Sequence, residues 1–237
     1  MKILAFDTSA KTSTVAVLEN DKILCNASIC VGLTHSQTLL PLCDSLLKAS
    51  EISLNDIDIF AVSSGPGSFT GLRIAIGAIK GMAQGLNKPC VPVSTLEALV
   101  YNYYGLSGIV CAVMDARCSQ VYTATFKVDG GYPQRLSEDE AISIETLGEK
   151  LKEYSSPVTF VGDGALLCYS VLKDTHSVEL APPKLCNQDA VSVAICAKNL
   201  IDKGIPPISA SELMPSYLRL PQAERELLLK NETKGNV

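Results

Sequence analysis

Two well-separated stretches of this chain follow one pattern, and that pattern limits the fold more than any other feature. Ile3 to Asp7 read as an apolar strand ending in an aspartate, and Ser13 to Leu18 alternate polar and apolar residues like the returning strand of a hairpin. Ile23 to Ile29 supply a third strand. Later, Ile109 to Met114 form an apolar strand that again ends in an aspartate, Asp115, and Gln120 to Val128 alternate once more. Helices and strands then take turns in both halves. The first half predicts a helix near His35 to Ala49, a strand over Asp58 to Val62, a glycine-rich helix, a short strand over Cys90 to Val93, and a helix opened by Ser94. Ser94 and Glu97 have the spacing of a capping box. The second half predicts a helix near Ile144 to Tyr154, a strand over Val158 to Val161, a helical stretch from Ala165, and a helix near Asp189 to Asp202. A meander followed by helix and strand alternation, met twice, predicts two similar α/β lobes. The break near Tyr104 to Ser107 sets them at residues 1–106 and 107–215, with a terminal helix and tail over 216–237.

The stretch Ser63 to Leu86, SSGPGSFTGLRIAIGAIKGMAQGL, carries the strongest local signal. A glycine-rich turn leads into a helix in which Gly77, Gly81 and Gly85 recur every fourth residue, on one helical face. Each interior glycine costs about 0.5–1 kcal/mol relative to alanine. Three on one face point to close approach of another backbone, and hence to packing or partner binding ahead of chemistry.

Composition narrows the class. The chain has 237 residues, 47% hydrophobic and 19% charged, which places it among globular proteins with a sizeable core. A net charge of -5 argues against a broad phosphate-binding face, so a role in RNA chemistry calls for a more basic partner. MKILAFDTS has no signal-peptide character, and no run reaches the roughly 18 apolar residues of a membrane span. The nine cysteines, without a C-x-x-C pair, read as small core residues in a reducing cytosol. A cytoplasmic location is therefore expected.

Motif by motif, catalytic signatures fail. The loop Gly65 to Gly71 sits where a phosphate cradle would sit, but it lacks the Walker A lysine and the third glycine of a dinucleotide fingerprint. A tight turn for close strand–helix packing is the favoured reading. Anion contact through Ser68, Thr70 and Arg73 stays open beside it. Asp7, Asp115 and Asp163 lie at strand ends or turns, where a carboxylate either caps the turn or orients hydrated magnesium, with capping favoured. The two histidines, His35 and His176, form no H-x-x-x-H or H-E-x-x-H, so no metal site of that kind is expected. His35 reads as part of a helix start. No G-x-S-x-G elbow occurs.

Six motifs, in order, match a known family: Ile3 to Ser9, His35 to Pro41, Ser63 to Leu86, Val93 to Leu96, Asp115 to Arg117 and Pro215 to Arg219. Together they span almost the whole chain, and in them the chain resembles the TsaB (YeaZ) family. The resemblance implies the fold of the actin, heat-shock ATPase and sugar kinase (ASKHA) superfamily, with two ribonuclease-H-like lobes. It also implies a non-catalytic role. TsaB-like proteins pair with a larger paralogue, TsaD, which transfers a threonylcarbamoyl group to N6 of the adenosine after the anticodon in tRNA, and a TsaE-type ATPase joins the pair. On this reading the chain has no cofactor of its own. ATP with magnesium, and the catalytic metal, belong to the partner subunits, and tRNA is met only through the complex. In the family, helices of the first lobe form the shared surface, which also supports a homodimer. That implies an interface drawn from Leu39, Leu42, Cys43, Leu46, Ile74, Gly77, Ala78, Gly81, Met82 and Gly85. Two rival classes remain: a self-sufficient ASKHA kinase or ATPase, and a glycoprotease-like hydrolase.

Overall fold

The computed structural model describes residues 1–219. The first lobe is built on a meander of β1 (Lys2–Asp7), β2 (Ser13–Glu19) and β3 (Lys22–Ile29), followed by α1 (His35–Ala49), β4 (Ile59–Gly65), α2 (Phe69–Leu86) and β5 (Cys90–Ser94). A short helix, α3 (Thr95–Val100), leads to the second meander of β6 (Ser107–Arg117), β7 (Gln120–Asp129) and β8 (Gln134–Arg135). Then come β9 (Glu140–Ser143), α4 (Ile144–Leu151), β10 (Val158–Val161), α5 (Ala165–Leu172), β11 (Val178–Leu180), α6 (Pro183–Cys186) and α7 (Ala190–Asp202). The short elements β8, β9, β11 and α6 have too few residues to show a period in the sequence.

The two sheets have the same plan. The first runs β3-β2-β1-β4-β5 and the second β11-β10-β6-β7-β8, with β9 also pairing with β7. β1 and β6 hold equivalent places. Each pairs antiparallel with the strand that follows it and parallel with the strand that returns after a helix, β4 for β1 and β10 for β6. The period of two in the strands splits their side chains between two cores. Leu4 and Phe6 enter the layer beneath α1 and α2, whereas Ile3 and Ala5 enter the opposite layer. In β6, Val110, Ala112 and Met114 face one layer and Cys111 and Val113 the other.

One boundary drawn from the sequence is corrected here. Helix α7, counted there within the 107–215 lobe, packs on the first sheet, where Ala190, Val193, Ala194 and Ala197 meet Ile3, Ala5, Ile59 and Ala61. Conversely, Leu96, Leu99 and Val100 of α3 pack on the second sheet. The two helices are exchanged because each sheet has one face left open by its own helices, and an apolar helix face is satisfied by either. The segment after α7 also returns to the first lobe. Cys90 and Ile208 exchange backbone hydrogen bonds, Leu213 is fully buried in the core beneath α2, and the Ser216 N–H donates to the Ser64 carbonyl.

Ser94 caps α3 by accepting from the Glu97 N–H, but the second half of the expected box is missing. The Glu97 carboxylate instead pairs with Arg135 at 3.0 Å, and Arg135 also reaches Asp139, whose other oxygen accepts from the Ser94 hydroxyl. The charge of Arg135 outcompetes a backbone amide for that carboxylate. Residues 216–219 are not helical, and the rest of the expected terminal helix lies outside the described residues. Among the described residues, no helix is long and apolar enough to cross a membrane.

Candidate partner surface and glycine-rich turn

The glycines of the Ser63 to Leu86 stretch fall into two physical groups. At the turn, Gly71 lies against the end of β1. The Thr8 hydroxyl donates to the Gly71 carbonyl at 2.7 Å, and the Ser68 N–H donates to the Ser9 carbonyl at 2.7 Å. A Cβ at Gly71 would stand 1.9 Å from the Thr8 carbonyl oxygen, and one at Gly65 would stand 2.1 Å from that of Ser216. Close packing therefore requires glycine at both positions. Along α2 the opposite holds. Gly77, Gly81 and Gly85 are exposed, and a Cβ at any of them would meet nothing within 4 Å. Among the described residues, no backbone from elsewhere in the chain approaches that face.

The rest of α2 explains its orientation. Leu72, Ala75, Ile76, Ile79 and Ala83 are buried against the sheet. Ile74, Ala78 and Met82 are half-buried along the flank of the same core. Of the expected interface residues on α1, Leu39 and Cys43 are 1% and 4% exposed and belong to this chain's own core, which removes them from any contact surface. They fall inward because α1 turns its Leu39–Cys43–Leu47 row onto β2 and β3. Leu42 and Leu46 are half-buried beside that row. Leu40 is 53% exposed, and the Leu39–Leu40 doublet was the signal that one of the pair had to face out.

On the other side of the glycine row runs the segment that follows α7. Lys80 donates to the carbonyls of Ser211 and Leu213 at 3.3 and 3.0 Å. The Arg73 Nε–H donates to the Tyr217 hydroxyl at 2.9 Å, and Phe69 stacks on Tyr217 with ring centroids 4.5 Å apart. Arg73 thus leans along this strap. Met214, 65% exposed, stands on it, and no sequence signal placed it near α2 because that contact is long-range.

Ser68 and Thr70 sit at the start of α2, and Ser68 uses its hydroxyl to accept from the Gly71 N–H as the helix cap. Both line a cavity of about 630 Å³ with the β1–β2 turn and the loop before α1; Arg73 is not among its lining residues. Asp7 is buried and serves its turn. One oxygen accepts from the Ser9 N–H and hydroxyl at 2.7 Å each, and the other from the Ser63 hydroxyl at 2.5 Å. Burial pushes its carboxyl above the ordinary range, opposed by those hydrogen bonds, which favour the carboxylate. Asp115 likewise accepts from the Arg117 N–H at 2.7 Å. The His35 Nε2 lies 2.7 Å from the Ala10 carbonyl oxygen. Among the described residues, no group of three or more His, Cys, Asp or Glu stands close enough to hold a metal ion. Five cysteines are buried, and burial pushes the thiols of Cys43 and Cys168 up to about 12; Cys30 and Cys118, by contrast with the expected core cysteines, are exposed.

Two lobes with one strand order, wrapped around exchanged helices, define an ASKHA-type protein. A solved example, (R)-2-hydroxyglutaryl-CoA dehydratase component A of Acidaminococcus fermentans, shares the fold at a TM-score of 0.50 and 11% identity, covering 84% of this chain and 98% of that one. Within that class, residues 31–227 match the family model described as TsaD, tRNA N6-adenosine threonylcarbamoyltransferase. The tRNA threonylcarbamoyladenosine biosynthesis protein TsaB of Bacillus subtilis is 30% identical over 94% of this chain and 96% of its own length. Its Escherichia coli counterpart is 35% identical over 69% and 72%. The solved structure titled YeaZ from Pseudomonas aeruginosa superposes with a TM-score of 0.80 at 27% identity, covering 92% of this chain and 99% of that one. The chain belongs to the TsaB family.

Proposed function

We propose that this protein serves tRNA threonylcarbamoyladenosine biosynthesis as a non-catalytic subunit that binds and activates a TsaD-type transferase through the outer face of α1 and α2. The observation that carries the reading is the open glycine row. A helix retains three destabilising residues on one face, and among the described residues nothing uses the space they leave. A foreign helix laid along Gly77, Gly81 and Gly85, between the flank of Ile74, Ala78 and Met82 and the strap bearing Met214, fills it. The same face accepts a second copy of this chain when the transferase is missing. A TsaE-type ATPase joins the pair, and nucleotide, metal and tRNA chemistry belong to those partners.

The polar groups that a transferase or kinase would need are engaged internally. Asp7 is held by Ser9 and Ser63, the amides of Ser68 and Gly71 are paired, and His35 Nε2 is beside the Ala10 carbonyl. Coexpression with the TsaD-type protein of the same genome, followed by native mass measurement, tests the reading. A heteromer that Gly77→Leu with Gly81→Leu disrupts is the expected result. A heteromer indifferent to that double change, or an isolated chain that hydrolyses ATP or modifies tRNA, overturns it.

A further inference from the structure

The strap that follows α7 gathers arginines that no local pattern brings together. Among the described residues the arginines are Arg73, Arg117, Arg135 and Arg219, and only Arg135 forms an ion pair there. The other three lie along one line. Arg73 of α2 is tied to Tyr217 through its Nε–H. Two residues further along the strap, a reach of at most about 7 Å, Arg219 donates to the Ala116 carbonyl at 2.8 Å. Leu218, between them, packs on the core of the second lobe and fixes the crossing. Arg117, the next residue of β6, stands exposed at the tip of the β6–β7 hairpin. The line therefore runs from the first lobe onto the second.

The hairpin tip is held against its own backbone preference. Arg117, Cys118 and Ser119 follow one another at φ values of 63°, 55° and 56°. Residues other than glycine and asparagine are disfavoured there, because the Cβ crowds the backbone. Elsewhere among the described residues positive φ falls on glycine, Asn20 or Asn87, with Glu51 the one other exception. At the tip three exposed side chains are kept instead. The Arg117 guanidinium has no hydrogen-bond or ion-pair partner among the described residues; its backbone N–H donates to Asp115. Asp115 and Asp163 carry opposing charge nearby, but the Asp163 carboxylate takes the Asp115 N–H and neither acid pairs with a guanidinium there.

We propose that Arg73, Arg117 and Arg219 form a ridge that holds the phosphate backbone of tRNA, so that this chain touches the RNA directly. The chemistry stays with the transferase; contact is what the ridge adds, and the kind of RNA rests on the family reading. A guanidinium stays charged and matches phosphate oxygens two at a time. Arg73 and Arg219 are each held by one hydrogen bond and keep most of their N–H donors for a ligand. A net charge of -5 excludes a broad basic face, but a narrow line of three cations suffices for a few backbone contacts. Its extended course over two lobes suits a polymer better than a small anion.

The test is fluorescence anisotropy of an end-labelled, unmodified tRNA transcript from the same genome with the isolated full chain, between about 50 and 200 mM salt. Saturable binding that weakens steeply with salt is expected. Arg117→Gly, which relieves the strained turn, is expected to raise the unfolding midpoint yet weaken binding about threefold to tenfold and lower the log–log salt slope by about 0.7–1. Arg73→Gln with Arg219→Gln keeps a donor for Tyr217 and Ala116 and is expected to weaken binding more than about tenfold. A charge-matched control outside the ridge, Lys22→Gln with Lys173→Gln, is expected to stay within about twofold of the parent. No saturable binding at the lowest salt overturns the proposal. So does binding that survives Arg117→Gly at parental strength, or that falls as far in the control. Ridge variants that bind tRNA normally but lose a TsaD-type partner assign the ridge to protein contact and also overturn it. Ridge-dependent tRNA binding by a chain that forms no heteromer supports the ridge and sinks only the glycine-row reading.

Discussion

Replacing Gly77 and Gly81 by alanine should strengthen the free protein and weaken its complex, and the opposition of those two effects is the sharpest consequence of the open glycine row. In the free chain a Cβ at either position meets nothing within 4 Å among the described residues, so the change adds no clash with them. It removes the conformational cost of an interior helix glycine, about 0.5–1 kcal/mol each. Two changes sum to about 1–2 kcal/mol, since methyls pointing into solvent do not couple. For a chain of this length that is roughly 2 to 8 °C in the unfolding midpoint. In the complex, each methyl enters a seam where two backbones lie close, and overpacking of that kind costs about 1–3 kcal/mol. Affinity then falls roughly fivefold to more than a hundredfold. Scanning calorimetry of the isolated chain, at concentrations low enough to exclude self-association, reads the first effect. Surface plasmon resonance against an immobilised TsaD-type partner reads the second. An unchanged or lowered midpoint would show that the glycines are covered in the free protein. A raised midpoint with undiminished affinity would sink the interface while leaving the helix argument intact.

Other consequences concern the turn and the joint between lobes. Gly71→Ala should cost more than about 3 kcal/mol, measured by urea unfolding, because its Cβ would stand 1.9 Å from the Thr8 carbonyl oxygen and backbone must move; a loss below about 1 kcal/mol would mean that the turn yields easily. Asp7 has its folded-state pKa raised by burial from the ordinary 3.8, so the folded state holds that proton more tightly and stability should decline as pH climbs from about 4 through the folded value, then level off. Asp7→Asn should remove that part of the slope in unfolding free energies measured between pH 3.5 and 7, and a slope identical to the parent's would contradict the assignment. Arg135→Ala leaves Glu97 and Asp139 facing each other without a cation at a half-buried joint, at a cost of about 2 kcal/mol, or roughly 4 to 8 °C in the midpoint. An unshifted midpoint would make the triad a solvated surface contact.

The strands and most helices of this chain were legible because their information is local. The apolar runs of β1 and β6, the alternation of β2 and β7, and the glycine spacing of α2 each lie within a few residues of one another, where period alone fixes which side chains share a face. The duplicated plan followed from meeting the same local pattern twice. What the sequence left open were choices between equal local solutions. The apolar face of α7 is as good a cover for one sheet as for the other, and only the vacancy beneath β1 and β4 assigned it to the first. Glu97 had a backbone amide and a distant Arg135 to choose from, and charge decided. Leu39 and Cys43 read like their neighbour Leu42, and only the tilt of α1 on β2 and β3 sent them inward. The glycines show the division most clearly. Their spacing announced a shared face, but tertiary contacts alone separated Gly65 and Gly71, pressed against carbonyl oxygens of this chain, from Gly77, Gly81 and Gly85, which meet nothing among the described residues, because whether a missing side chain is occupied depends on atoms far away in the sequence.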